Sequence, residues 1–139
     1  MAELKFATGV VTFSVNGKRD LTFNPTDSAF VEKLFHAFDT LDKKQEAYKE
    51  EISKIADNRE IFEVARKRDA EMRALIDGLF DAPVSEALFG GMNTYSMADG
   101  LPVWCNLIMA VMDEVDTGFA REQKATNPRI SKYTAKYHK

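Results

Sequence analysis

The sequence has few of the residues that build reactive sites or extracellular scaffolds. It holds one cysteine, Cys105, and two histidines, His36 and His138, in 139 residues. One cysteine excludes an internal disulfide, so a reducing, intracellular setting is expected. No HExxH, CxxC or clustered His-Asp set is present, which removes the usual transition-metal arrangements. The longest apolar run, near Leu107–Met112, is far too short to span a bilayer. The opening MAELKFATGV has no apolar core of signal-peptide length. A net charge of −3 gives no whole-chain case for nucleic acid or a membrane surface. The length is that of one domain, enough to bury a core without disulfide or metal.

Among what is present, the alternation over residues 8–24 reads as a β-hairpin. Val11, Phe13 and Val15 share one face, and Leu21 and Phe23 share a face of the next strand. Asn16-Gly17 marks the turn. A two-residue loop would pair Phe13 with Asp20 and mix the faces. A three-residue loop, for example Val15-Asn16-Gly17, sets Val11 opposite Leu21 and keeps them matched. Asn24-Pro25-Thr26-Asp27 then reads as a helix start, with Asn24 as cap, Pro25 at the first position and Asp27 at the positive end.

Large or apolar residues recur at Phe30, Leu34, Phe38, Leu41, Tyr48, Ile52 and Ile55. With Gln45 counted, the spacing from Phe38 is coiled-coil-like. A second helix carries Ile61, Phe62, Ala65, Met72, Leu75, Ile76, Leu79 and Phe80 on its buried side. A break at Asp57-Asn58 makes an antiparallel helical hairpin, whereas its absence leaves one continuous helix from Pro25 to Phe80. Pro83 can open a short helix that ends at Phe89-Gly90-Gly91. Residues 91–100 read as a loop, and Leu101-Pro102 begins the last main helix, which Asn127-Pro128 ends. The fold class expected is α+β, mostly α: an N-terminal hairpin packed on a bundle of about three to four helices. The globular domain covers 1–126 and a basic tail covers 127–139.

No nucleophile or acid/base set is visible, so no enzyme, cofactor or metal site is expected. His36 reads as a partly exposed helix residue. Cys105 faces the same way as Ile108 and Met109 and reads as a small buried residue. Gly90-Gly91 lacks the phosphate-loop pattern and reads as a helix-ending turn. Asp113-Glu114 and Asp116 lack EF-hand spacing and read as a solvated face. Tyr95 and Trp104 flank the glycine loop and are candidates for a partner contact, with a core plug as the competing reading for Trp104. In the tail, Lys132, Tyr133, Lys136 and Tyr137 are the other candidate partner-binding residues. The tail has four Lys/Arg and no acid, and its two tyrosines would share one face of a helix too short to be stable alone.

Three stretches carry a resemblance: TGVVTFSVNGKRDLTFNPTDSAFVEKLFHAFDTLD, ALFGGMNTYSMADGLPVWCNLIMAVMDEV and RISKYTAKYHK. Together, and in this order, they resemble small tail-assembly chaperones of tailed phages and prophages of Gram-positive bacteria. The resemblance covers most of the chain and rests on structural punctuation rather than catalytic motifs. It implies a non-enzymatic protein that coats the tape-measure protein in the host cytoplasm and keeps it soluble until the tail tube polymerises. It also implies that the protein is absent from the mature virion. The tail-tube protein and a second copy of this chain are further partners it suggests. A structural virion component, such as a head–tail connector or tail-completion protein, is the alternative. A nucleic-acid-binding regulator is suggested by the basic tail alone.

Overall fold

A computed structural model describes residues 1–137, with Tyr137 as backbone only. The fold is α+β and mostly α, as expected. Strand β1 (Val11–Val15) pairs antiparallel with β2 (Arg19–Phe23), placing Val11 opposite Phe23 and Phe13 opposite Leu21. The loop has three residues, as face matching requires, but it is Asn16-Gly17-Lys18 and not Val15-Asn16-Gly17. Both registers match the faces, so alternation does not choose between them. The turn does. Asn16 and Gly17 both take left-handed backbone, at φ 53° and 67°, where a β-branched residue is disfavoured. Val15 therefore stays in the strand, and its carbonyl accepts from the Lys18 amide at 3.0 Å.

Helix α1 (Ser28–Ser53) starts later than expected. Its cap is Asp27, whose carboxylate accepts from the Ala29 amide at 3.0 Å. Asn24 instead organises a preceding turn. Its Oδ1 accepts from the Thr26 amide (2.8 Å) and hydroxyl (2.9 Å), and its carbonyl accepts from the Asp27 amide. The fixed φ of Pro25 suits the second position of that turn as well as a helix start. Pro25 is buried and its ring packs on Gly118.

Helix α2 (Asn58–Phe80) is separate from α1, capped by Asp57 onto the Arg59 amide at 3.0 Å. The helical hairpin is therefore the observed alternative. Arg68 of α2 clasps both carboxylate oxygens of Glu51 on α1, at 2.9 and 3.0 Å, and also bonds Glu71 at 2.8 Å. This fork-on-carboxylate geometry holds the Glu51 carboxyl below its ordinary pKa range, the Arg68 hydrogen bond being the main cause.

After Asp81 in left-handed backbone comes the short helix α3 (Ser85–Phe89), which begins two residues past Pro83 and ends at Gly90. The end of the segment read as a loop pairs with Leu101-Pro102, which was expected to begin the last helix, in a second, two-rung hairpin. Strand β3 (Met97–Ala98) pairs with β4 (Leu101–Pro102) across Asp99-Gly100, both at positive φ. Helix α4 (Val103–Lys124) follows directly, and α5 (Arg129–Tyr137) follows after residues 125–128.

The core lies where α1, α2 and α4 meet, around Leu34, Leu41, Met72, Ile76, Trp104 and Ile108. The first hairpin closes one end through a ring cluster. Phe23 stacks on Phe13 at 4.7 Å and on Phe30 at 4.6 Å, with Phe80 tilted beside them. Phe23→Ala should thus lower stability by about 3–5 kcal/mol in denaturant melts; a change below about 0.5 kcal/mol would mean that the hairpin adds little to the core.

Two glycines inside helices should respond in opposite directions. A Cβ on Gly118 would sit 2.7 Å from the Pro25 ring, whereas one on Gly78 meets nothing within 4 Å. Gly78→Ala should raise stability by about 0.5–1 kcal/mol through helix propensity alone. Gly118→Ala should lower it by about 1 kcal/mol or more through overpacking. Thermal melts of the two variants check both signs.

Candidate partner-binding surface

Sequence reasoning placed two candidate contact residues, Tyr95 and Trp104, around the glycine loop. The structure shows what that loop does. Helix α2 presents Asp69, Arg73 and Asp77 at four-residue spacing, on one face. Asp69 accepts from the Thr94 amide (2.7 Å) and hydroxyl (2.8 Å), and also from Arg73 at 2.9 Å. Arg73 donates to the carbonyls of Gly90 and Met92, each at 2.7 Å. Asp77 accepts from the Ser85 amide (2.8 Å) and hydroxyl (3.0 Å), which explains why α3 begins at Ser85. Asn93 donates to the Ala65 carbonyl at 3.0 Å. The first half of the loop, through Thr94, is thus bolted to α2.

From that position the loop serves the next helix. Pro102 offers α4 no capping side chain. The carbonyls of Ser96 and Thr94 accept instead from the first helical amides, Val103 at 2.7 Å and Trp104 at 3.2 Å. Trp104 is then driven inward. It is 1% exposed, lies 6.0 Å from the Phe38 ring, and donates its indole N–H to Gln45 at 2.9 Å. Gln45 is the polar member of the heptad-like seam, and this bond satisfies it. Tyr95 is 8% exposed and stacks on Tyr48 at 4.0 Å. The Trp104 side chain is therefore a core plug, the competing reading, whereas Tyr95, though largely covered by Tyr48, still lines an open depression of about 480 Å³ with Ile61, Phe62 and Ala65. Cys105 is buried too, beside Met109 at 3.7 Å, and burial pushes its thiol pKa up.

Further apolar surface lies beside the first hairpin. An open trough of about 220 Å³ runs between the first hairpin and α4. Phe13, Leu21 and Phe23 form one wall, Leu107, Ala110 and Val111 the other, and Glu114 sits at its rim. A second depression of about 360 Å³ adjoins it, sharing Val15, Asn16, Leu107 and Ala110 and extending to Phe89, Met92 and Lys18. The alternation of β1 and the α4 periodicity contain these residues. Neither pattern shows that the hairpin leaves this flank of α4 uncovered.

The tail candidates fall on α5. Asn127 accepts from the Arg129 amide at 3.0 Å, an N-cap contact, and the helix is formed where the sequence suggested loose order. Lys132 approaches the Tyr133 ring at 5.9 Å. Every residue from Phe119 to Lys136 is exposed, with Ile130 at 72%. The Tyr137 side chain and residues 138–139 lie outside the described residues. Among those described, no three His, Cys, Asp or Glu side chains gather as metal ligands, and no helix is long and apolar enough to cross a membrane. No protein-family model matches this chain, and no curated protein or solved structure matches it either.

Burial raises the Tyr95 hydroxyl to a pKa of about 12, and Tyr48 moves the same way. An acid whose pKa is higher folded than unfolded costs nothing while both states are protonated. Once the unfolded state loses its proton first, stability falls. Stability should therefore decline between about pH 10 and 12, and Tyr95→Phe should flatten the decline in chemical melts across that range.

Proposed function

We propose that this chain is a non-enzymatic tail-assembly chaperone that binds the tape-measure protein and keeps it soluble before the tail tube polymerises. The open apolar trough between hairpin and α4 carries the reading. A long helical client awaiting its tube exposes apolar stripes that would otherwise aggregate. Such a stripe is what a trough of this kind accepts, by helix-in-groove contact. The resemblance of the hairpin, the FGG-N loop and the tail to tail-assembly chaperones supports the same reading. In it, the protein acts in the cytoplasm of the bacterial host and leaves before the virion is complete.

Ala110 is exposed and lines both parts of the trough, so Ala110→Glu blocks it without touching the core. Coexpressed with the tape-measure protein, the native chain should raise that protein's soluble fraction and copurify with it. Ala110→Glu should keep its melting temperature and lose most of this effect. A tape-measure protein equally soluble alone, with empty pull-downs in low and moderate salt, would refute the reading.

A further inference from the structure

Helix α5 is formed with its described side chains exposed. It is nine residues long, and no described side chain from Phe119 to Lys136 is buried. A helix that short is marginal in water unless a surface packs against it. Its composition says what kind of surface. Ile130 and Tyr133 stand one turn apart on one face, exposed by 72% and 45%. Arg129, Lys132 and Lys136 form the neighbouring stripe, and the helix holds no acid. The required surface is an apolar channel with carboxylates at its edge.

The chain itself carries such a channel. The trough between hairpin and α4 is walled by Phe13, Phe23, Leu107 and Val111, with Glu114 at its rim. Asp113 is exposed one i+3 step from Ala110 on the same helix. At the far end lies a single cation, Lys18. We propose that α5 of one copy docks in the trough of a second copy, with Ile130 and Tyr133 on the apolar floor and Lys132 and Lys136 against Glu114 and Asp113. The protein then self-associates through its own tail. If the trough is also where the tape-measure protein binds, which rests on the function proposed above, self-association and client binding exclude one another. The docking itself depends on this chain alone.

The test uses the full chain without any client. Sedimentation velocity at low salt should show reversible self-association that weakens as salt is added, because the ion pairs sit at an open rim. Glu114→Lys sets a cationic rim against a cationic tail. The double change Lys132→Glu and Lys136→Glu sets an acidic tail against an acidic rim. Each variant alone should associate about fivefold more weakly or worse, the effect of turning a modest attraction into a repulsion. Mixed in equal amounts, each variant's tail complements the other's rim, and association should return. Tyr133→Ala should weaken association at every salt concentration, since it removes contact area rather than charge. The substituted tail residues are exposed and Glu114 is half-exposed at the rim, so melting temperatures should stay within a few degrees of the native value. A chain that is monomeric up to about 1 mM at low salt overturns the proposal, and would mean that α5 folds back on its own copy or on nothing. Association that is indifferent to all these changes overturns it too, and would place the contact elsewhere, for instance on the exposed residues 1–10. A mixture no tighter than its components rejects the pairing of Lys132 and Lys136 with Glu114.

Discussion

Irregular chain can lie against a core only where its amides and carbonyls find partners, and here the polar face of α2 supplies them. Asp69, Arg73 and Asp77 hold the backbone of residues 85–94, and the loop so fixed supplies the carbonyls that receive the first amides of α4. Trp104 enters the core from that first turn and reaches Gln45 on α1. One row of charged side chains thus determines where α4 begins, and through Trp104 how it sits against α1. If Asp69 were lost, the Thr94 amide and hydroxyl, both buried, would be left unpaired. The effect would travel to the tryptophan through the Thr94 carbonyl, which accepts the Trp104 amide.

The same dependence explains why the reading of the aromatic residues divided. Trp104 and Tyr95 flank a glycine-rich segment, and in many proteins such segments project into solvent. This one is held down instead, so its neighbours are drawn inward. Both aromatics meet polar or ring partners from α1, namely Gln45 and Tyr48. A buried indole N–H needs an acceptor. A glutamine at a heptad core position is the mark that such an acceptor was provided. The two observations account for each other.

Periodicity and turn chemistry made much of this architecture legible. The alternation of Val11, Phe13 and Val15 located the first hairpin, and the spacing from Phe30 to Ile55 located α1. Asp57-Asn58 marked where a turn could fall, while the alternative of one continuous helix stayed open. What could not be read was whatever depends on partners distant in sequence. Asn24, Pro25 and Asp27 are each competent for more than one role. Asn24 was expected as the cap of α1, but its side chain serves the Thr26 turn and donates to the Thr8 carbonyl at 2.8 Å, so the cap falls to Asp27. The spacing of Asp69, Arg73 and Asp77 was visible, yet charges four apart on a helix ordinarily face water. Only the fold shows that this row faces a loop. Asp99-Gly100 is a strong hairpin signal. With two-residue strands on each side, there was too little alternation for it to be recognised.

The trough, finally, exists because the first sheet stops at two strands. Residues 1–10 precede β1 and are exposed, and they form no third strand along the flank of α4. The backbone turns them away. Gly9 is left-handed at φ 75°, which a continuing strand cannot accommodate. The place where a Cβ would stand is filled by the Asn24 side chain, 2.7 Å away. Asn24 in turn ties down the Thr8 carbonyl and, through Thr26, leads into Pro25, whose ring is pressed against Gly118 of α4. The bend at Gly9 and the contact between the α1 entrance and α4 are therefore one construction. It fixes the hairpin alongside α4 and turns the preceding chain away from it. Phe13, Leu107, Ala110 and Val111 are left facing an opening that no other part of the described chain covers.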